Sequence, residues 1–295
     1  MRLLGLLAGD TRGFRLAEVF NYLAKARGKP YHYQEFSVSP DFFNEAFWGL
    51  RALSAGFNVG APYRGRVAGL LPELAGEATV LRAVDTVELG SGLKGHLLLA
   101  PSFADFLQEL DGPEVVLVLG GGIPGLAVAL ACAKAGCRVH LATRSPSKAS
   151  PLELILPGLR VWPLEPEVLS EPLREAELVV NATPLGSARF PHAKPPLRYD
   201  LIRPEAAAVE LVQEPINTPF LEAACRFAGS CYTAGSVLRH FCARAWALWT
   251  GDDPEGARRA LDKFPLTKYI YYPFKPETPG GSDHEAEAAQ GQDNS

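Results

Sequence analysis

The chain has 295 residues, is 47% hydrophobic and 21% charged, and carries a formal net charge of −4. That composition fits an ordinary globular protein of two modest domains, and the absence of a basic block excludes an extended nucleic-acid surface. No apolar run reaches membrane-spanning length. The expected partner is a small-molecule substrate or ligand, with no nucleic acid and no membrane, for a monomer or homodimer in the cytoplasm.

Residues 3–8 form an apolar run after Arg2 that is too short for a signal-peptide core and meets Gly9-Asp10, so they read as a first strand. Residues 16–27 read as a helix ending near Gly28, 31–38 alternate as a strand, and Pro40 opens a helix through Leu53. A strand and turn over 56–61, a helix near 65–74, and strands over 80–89 and 95–100 complete an α/β unit. Ser102 and Asp105 have capping-box spacing for a helix to Leu110, and Asp111-Gly112-Pro113 is a turn and a domain boundary.

Residues 115–145 read as strand, glycine turn, helix and second strand, the first half of a dinucleotide-binding unit. The run 115–119 has the composition of a buried parallel strand. Gly120, Gly122 and Gly125 occupy the G-x-G-x-x-G positions, with Ile123 and Pro124 between the last two. They permit, in turn, a tight bend, close approach to a pyrophosphate, and close helix–strand packing. The helix from about Ile123 to Ala135 aims unpaired N–H groups at phosphates, and Gly136 stops it. An NAD site usually has Asp or Glu at the end of the second strand. Here Thr143, Arg144 and Ser145, with Lys148 following, suit a 2′-phosphate, so the motif favours NADP. A plain glycine turn and a solvated Arg144 are the simpler alternatives.

Further on, 178–182 and 207–212 read as strands and 239–249 as an amphipathic helix. Residues 269–274 are aromatic enough to pack, and 275–295 read as a disordered acidic tail. The five cysteines, Cys132, Cys137, Cys225, Cys231 and Cys242, lack metal-ligand spacing and read as reduced thiols, with no metal site.

Several phrases together resemble the shikimate dehydrogenase family. Gly9-Asp10 falls where that family's first strand ends. RALSAGFNVGAPYRG (51–65) is similar to its GLRALGxxGxNVTxPxK segment, and RAVDTVELGSGLKGHLLLAPSF (82–103) to GAVNTVxxxxGxLxGxNTDxxGF. NATPLGS (181–187), TPFL (218–221) and LWTG (248–251) also match. The resemblance implies two α/β domains. These are an N-terminal substrate domain over 1–104 and a doubly wound, Rossmann-type NADP domain over 105–234, with closing helices over 235–264 that return to the first domain. It places Asn181, Thr183 and Gly186 at the edge of the cofactor site and Gly235 beside the nicotinamide.

The family reduces 3-dehydroshikimate with NADPH, using a Lys–Asp pair beside the reacting hydroxyl. Eight family positions are changed here. The S-x-S serines become Arg15 and Ala17, the Thr of NVT becomes Gly60, and the catalytic Lys becomes Arg64. The Asn of AVNTV becomes Asp85 and the Asp of NTD becomes Leu99. The Tyr of VYNP becomes Gln213, and the closing-helix Gln becomes Phe241. An Arg, with a pKa above about 12, cannot exchange protons usefully near neutrality. A positioned proton donor is worth about 100- to 10,000-fold.

The resulting expectation is an NADP(H)-dependent oxidoreductase of this family acting on an anionic, partly apolar carboxylate other than shikimate. A non-catalytic NADP-binding or sensor protein and a weak residual shikimate/3-dehydroshikimate oxidoreductase are the alternatives. Arg64 and Asp85 are the catalytic candidates. Arg15, Arg64, Asp85, Leu99, Gln213 and Phe241 are the substrate-site candidates. Tyr63 and His96 are lesser proton-group candidates that read more simply as packing and turn residues, and an internal Arg–Asp salt bridge is the simpler reading of the charged pair.

Overall fold

The computed structural model describes residues 1–90 and 92–265. The aromatic segment 269–274 and the acidic tail 275–295 lie outside the described residues. The first domain comprises β1 (Arg2–Ala8), α1 (Leu16–Ala26), β2 (Tyr31–Ser37), α2 (Phe43–Leu53), β3 (Ser54–Val59), α3 (Arg64–Leu70), β4 (Glu73–Leu74), α4 (Glu77–Leu81), β5 (Thr86–Glu88) and β6 (Lys94–His96). Its strands lie in the order β2-β1-β3-β5-β6-β4. β1 pairs in parallel with β2 and β3, and β5 runs antiparallel between β3 and β6. The helical spacing of Leu16, Val19, Phe20 and Leu23 gives α1 one apolar face, and all four are buried.

The second domain follows α5 (Leu99–Leu107). It comprises β7 (Val115–Leu119), α6 (Ile123–Lys134), β8 (Arg138–Thr143), α7 (Pro146–Ala149), β9 (Leu159–Pro163), α8 (Ser170–Glu175), β10 (Leu178–Asn181), β11 (Ala207–Glu210), α9 (Pro219–Ala224) and β12 (Ser230–Tyr232). Its strand order, β12-β11-β10-β7-β8-β9, is parallel throughout. β7 is buried along its whole length, because helices cover both faces of such a sheet. The order reverses between β7 and β10, and that switch point opens a crevice at the strands' carboxyl ends.

Two helices, α10 (Gly235–Thr250) and α11 (Pro254–Leu261), return to the first domain. The Trp249 indole donates to the Val87 carbonyl at 2.9 Å and tilts against Phe20. Trp246 is fully buried with its edge toward Tyr31. Truncating a Trp so enclosed costs about 3–5 kcal/mol.

The structure corrects several local expectations. Residues 80 and 81 end α4, Arg82 turns the chain at φ +48°, and only Thr86–Glu88 is a strand. The helix near 65–74 is shorter, because Glu73 and Leu74 pair with Lys94 and Gly95. The strand expected over 95–100 stops at His96, and Leu99 begins α5. Ser102 is not an N-cap. Its hydroxyl bonds back to the Leu98 carbonyl at 2.6 Å, and Asp105 instead pairs with Arg244 of α10 at 2.6 Å. The reduced-thiol reading fails for one pair, since Cys225 and Cys231 form a disulfide. Cys132, Cys137 and Cys242 are buried free thiols.

Candidate active-site cleft

A cavity of about 1110 Å³ lies between the domains, at the carboxyl ends of β1 and β3 on one side and of β7, β8, β10 and β11 on the other. Its second-domain end is shaped by backbone. Gly120 has φ +116°, and a Cβ there would lie 2.9 Å from the Ala182 carbonyl. A Cβ on Gly125 would overlap the Gly120 carbonyl, and one on Gly121 would strike the Thr143 side chain. The Gly121 constraint falls on a variable position of the motif and was not anticipated. Gly122 faces the cavity with only Pro124 near its missing Cβ. The first turn of α6, whose amides lack intrahelical acceptors, opens beside it.

Thr143, Arg144, Ser145 and Lys148 line the same end. Arg144 and Lys148 are exposed and have no acidic partner among the described residues. Pro124 and Thr183 also face the cavity, whereas Ile123, Asn181 and Gly235 do not line it. Ala234, Val237 and Leu238 contribute the α10 wall where Gly235 was expected. Gly186, at φ +94°, packs against Thr218 outside the lining.

Behind this wall sits a carboxylate that no sequence motif singles out. Glu210 ends β11, is fully buried, and is pushed by that burial up to about 7. It accepts from Asn181 Nδ2 at 3.0 and 2.9 Å, Thr218 Oγ1 at 2.6 Å and the Val212 amide at 2.9 Å.

The opposite end of the cavity contains Arg64, Asp85, Leu99, Gln213 and Phe241, with Phe14 and Asn58 beside them. Asp85 is a helix cap. Its Oδ1 accepts from the Leu98 amide at 2.8 Å and its Oδ2 from the Leu99 amide at 2.9 Å, while Thr86 Oγ1 donates at 2.9 Å. Burial raises its pKa against the opposing charge of Arg64 and these donors. Arg64 donates Nε to the Val59 carbonyl at 3.0 Å. Burial lowers its pKa while Asp85 opposes the shift. No direct ion pair joins the two, so the simple salt-bridge reading is not what the structure contains.

Arg15 departs from expectation. Its guanidinium pairs with Glu18 at 2.8 Å and reaches Glu214 across the cleft at 3.4 Å. Its amide donates to Gln213 Oε1 at 3.3 Å. The residue is absent from the cavity lining, and its charge is held by Glu18 and by Glu214, which itself lines the cavity. Tyr63 donates to the Val38 carbonyl, and His96 pairs with Glu88 at 3.0 Å, so neither faces the cavity. Among the described residues, no cluster of His, Cys, Asp and Glu is arranged for a metal, and no helix is long and apolar enough to cross a membrane.

Residues 17–87 match the shikimate dehydrogenase substrate binding domain. A shikimate dehydrogenase (NADP(+)) of Desulfitobacterium hafniense is 34% identical over 239 residues, covering 78% of this chain and 86% of the relative. One from Thermus thermophilus is 38% identical over 223 residues, covering 72% and 81% respectively. A solved shikimate 5-dehydrogenase of Thermus thermophilus, in complex with NADP(H) and shikimate, superposes with a TM-score of 0.76 at 30% identity. That comparison covers 89% of this chain and 99% of the other. With its two α/β domains and the cleft between them, the chain belongs to the shikimate dehydrogenase family.

Proposed function

We propose that the chain is an NADP(H)-dependent oxidoreductase acting on an anionic, partly apolar carboxylate other than shikimate. The observation that carries this reading is the setting of Arg64. It lines the cavity beside Leu99 and Phe241, and only its Nε has a hydrogen-bond partner among the described residues. A guanidinium with its outer nitrogens free recognises a carboxylate bidentately. Leu99 and Phe241 accept apolar carbon and give hydroxyls no partner.

The glycine turn fits a dinucleotide: Gly122 presents bare backbone to the cavity next to the α6 N-terminus. Gly120, Gly122 and the first turn of α6 would hold the pyrophosphate. Arg144, Ser145 and Lys148 would hold a 2′-phosphate, and Ala182 and Thr183 would close the far side. Bound NADPH supplies hydride chemistry. Arg64 orients the carboxylate, and Leu99 and Phe241 exclude water. Asp85 is the titratable group available to hold a proton at this end, because it lines the cavity and burial raises its pKa.

The capping role of Asp85 favours a second reading. Both of its oxygens are already held by the Leu98 and Leu99 amides, a state suited to a non-catalytic NADP-binding or sensor protein. One experiment separates the readings: NADPH and NADH fluorescence titrations, then NADPH oxidation with alicyclic and aromatic keto-carboxylates and with 3-dehydroshikimate. Turnover of a keto-carboxylate that is lost in Arg64→Gln supports the enzyme. Tight NADPH binding without turnover supports the sensor. Turnover of 3-dehydroshikimate alone would establish residual family activity, and no binding of either nucleotide would remove both favoured readings.

A further inference from the structure

We infer that Glu210 is the positioning residue that fixes two cavity-lining segments of the second domain, 182–185 and 211–214, which rests for its functional consequence on the NADP reading above. Its two oxygens receive donors from three separate segments of the second domain. Asn181 Nδ2 lies 3.0 and 2.9 Å from them, Thr218 Oγ1 reaches Oε2 at 2.6 Å, and the Val212 amide reaches Oε1 at 2.9 Å.

From Asn181 the order passes to the second-domain wall. Asn181 Oδ1 accepts from the Thr183 amide at 3.0 Å and from Thr183 Oγ1 at 2.7 Å. Thr183 Oγ1 in turn accepts from the Leu185 amide at 3.3 Å. Ala182, Thr183 and Leu185 line the cavity, and Ala182 is the residue against which Gly120 has no room for a Cβ. Through Val212 the same carboxylate sets the start of the segment 211–214, which lines the cavity toward the other domain.

No cation pairs with Glu210 among the described residues. Its contacts are all donors, so its role is to accept, and the acceptor geometry is what a substitution must preserve. An unpaired buried donor is the costly state, and replacing the carboxylate with an apolar group creates several at once. Glutamine keeps one oxygen for the Val212 and Asn181 donors. The Thr218 hydroxyl can turn to accept from its amide.

The test is amide hydrogen exchange at Thr183, Leu185 and Val212 in the full chain without nucleotide, paired with NADPH titration and thermal melting. Glu210→Leu is expected to speed exchange at these amides by about tenfold or more and to raise the NADPH dissociation constant by a similar factor. Glu210→Gln restores both to within about threefold of wild type. A residue serving only global stability would speed exchange in both domains alike and would leave the nucleotide affinity of the folded fraction unchanged. If Glu210→Leu does not fold, Thr183→Val breaks the same relay one step later and is expected to speed exchange at Leu185. Unchanged exchange and affinity in a folded Glu210→Leu, or unchanged Leu185 exchange in Thr183→Val, overturns the assignment. Failure of wild type to bind NADPH, with the exchange differences intact, removes the cofactor reading and leaves the positioning role standing.

Discussion

The two ends of the cleft differ in what their polar groups already touch. At the glycine-turn end, the Gly122 amide and the cations Arg144 and Lys148 have no protein partner competing for them among the described residues. At the other end, Asp85 caps α5 and Arg15 pairs with Glu18 and Glu214, while the outer nitrogens of Arg64 and the side-chain amide nitrogen of Gln213 have no hydrogen-bond partner among the described residues. The first end is organised to receive a charged ligand along an extended backbone. At the second, Asp85 and Arg15 are already engaged by protein groups, and Arg64 lines the cavity beside the apolar Leu99 and Phe241. Family membership therefore carries over more readily to the cofactor than to the substrate.

The sharpest way to break this comparison is Gly125→Ala. The added Cβ overlaps the Gly120 carbonyl, a backbone atom that can move only by distorting the turn. Overpacking of this kind costs about 1–3 kcal/mol or more. The expected result is a lowered melting temperature together with loss of NADPH binding, measured by calorimetry and fluorescence titration. A variant that melts and binds like wild type would mean that the turn tolerates reshaping.

A second prediction comes from Glu210 and concerns pH. Its value in the folded protein is about 7, above the ordinary 4.5, so the folded state binds more protons than the unfolded state between these values. The stabilising contribution is fully present below about 4.5 and is lost as pH rises through about 7. Burial is complete, and the loss amounts to about 3 kcal/mol. Glu210→Gln should flatten that part of the stability profile in urea titrations between about pH 4.5 and 8. A slope that persists in the variant would place its origin in another group.

Arg144→Ala has the next effect. Removing one charge-assisted contact to a 2′-phosphate costs about 1.5–3 kcal/mol, or roughly 10- to 100-fold in NADPH affinity, and leaves NADH affinity unchanged. Equal weakening of both nucleotides would show that Arg144 does not read the phosphate.

How much of this was legible in the sequence follows from the range of each interaction. The glycine fingerprint was readable because its constraints are local, with Gly125 meeting Gly120 and β8 following a capped α6. Arg144 was readable from its position one residue past that strand. The start of α5 was misread because Asp85 supplies the cap from 13 and 14 residues away, and a capping box is sought within one turn. The charge of Arg15 was misplaced because Glu214 and Gln213 are 199 and 198 residues distant. Glu210 was passed over entirely, since a lone Glu at a strand end has no sequence signature until Asn181 and Thr218 surround it.

Arg15→Ala gives the smallest effect and tests the comparison most directly. The Arg15–Glu18 and Arg15–Glu214 pairs are partly exposed and include one long contact of 3.4 Å. Pairs of this kind contribute about 0–1 kcal/mol, so stability should fall by less than about 1 kcal/mol. Because Arg15 does not line the cavity and its charge is matched by Glu18 and Glu214, carboxylate affinity should be unchanged in Arg15→Ala and lost in Arg64→Gln. Loosening of the segment 211–214 should appear as faster amide exchange there, since the Arg15 side chain straps it to the first domain through Glu214. Loss of carboxylate binding in Arg15→Ala would mean that the strap opens in solution and delivers a second cation to the ligand, which would restore to the substrate end the openness the structure gives only to the cofactor end.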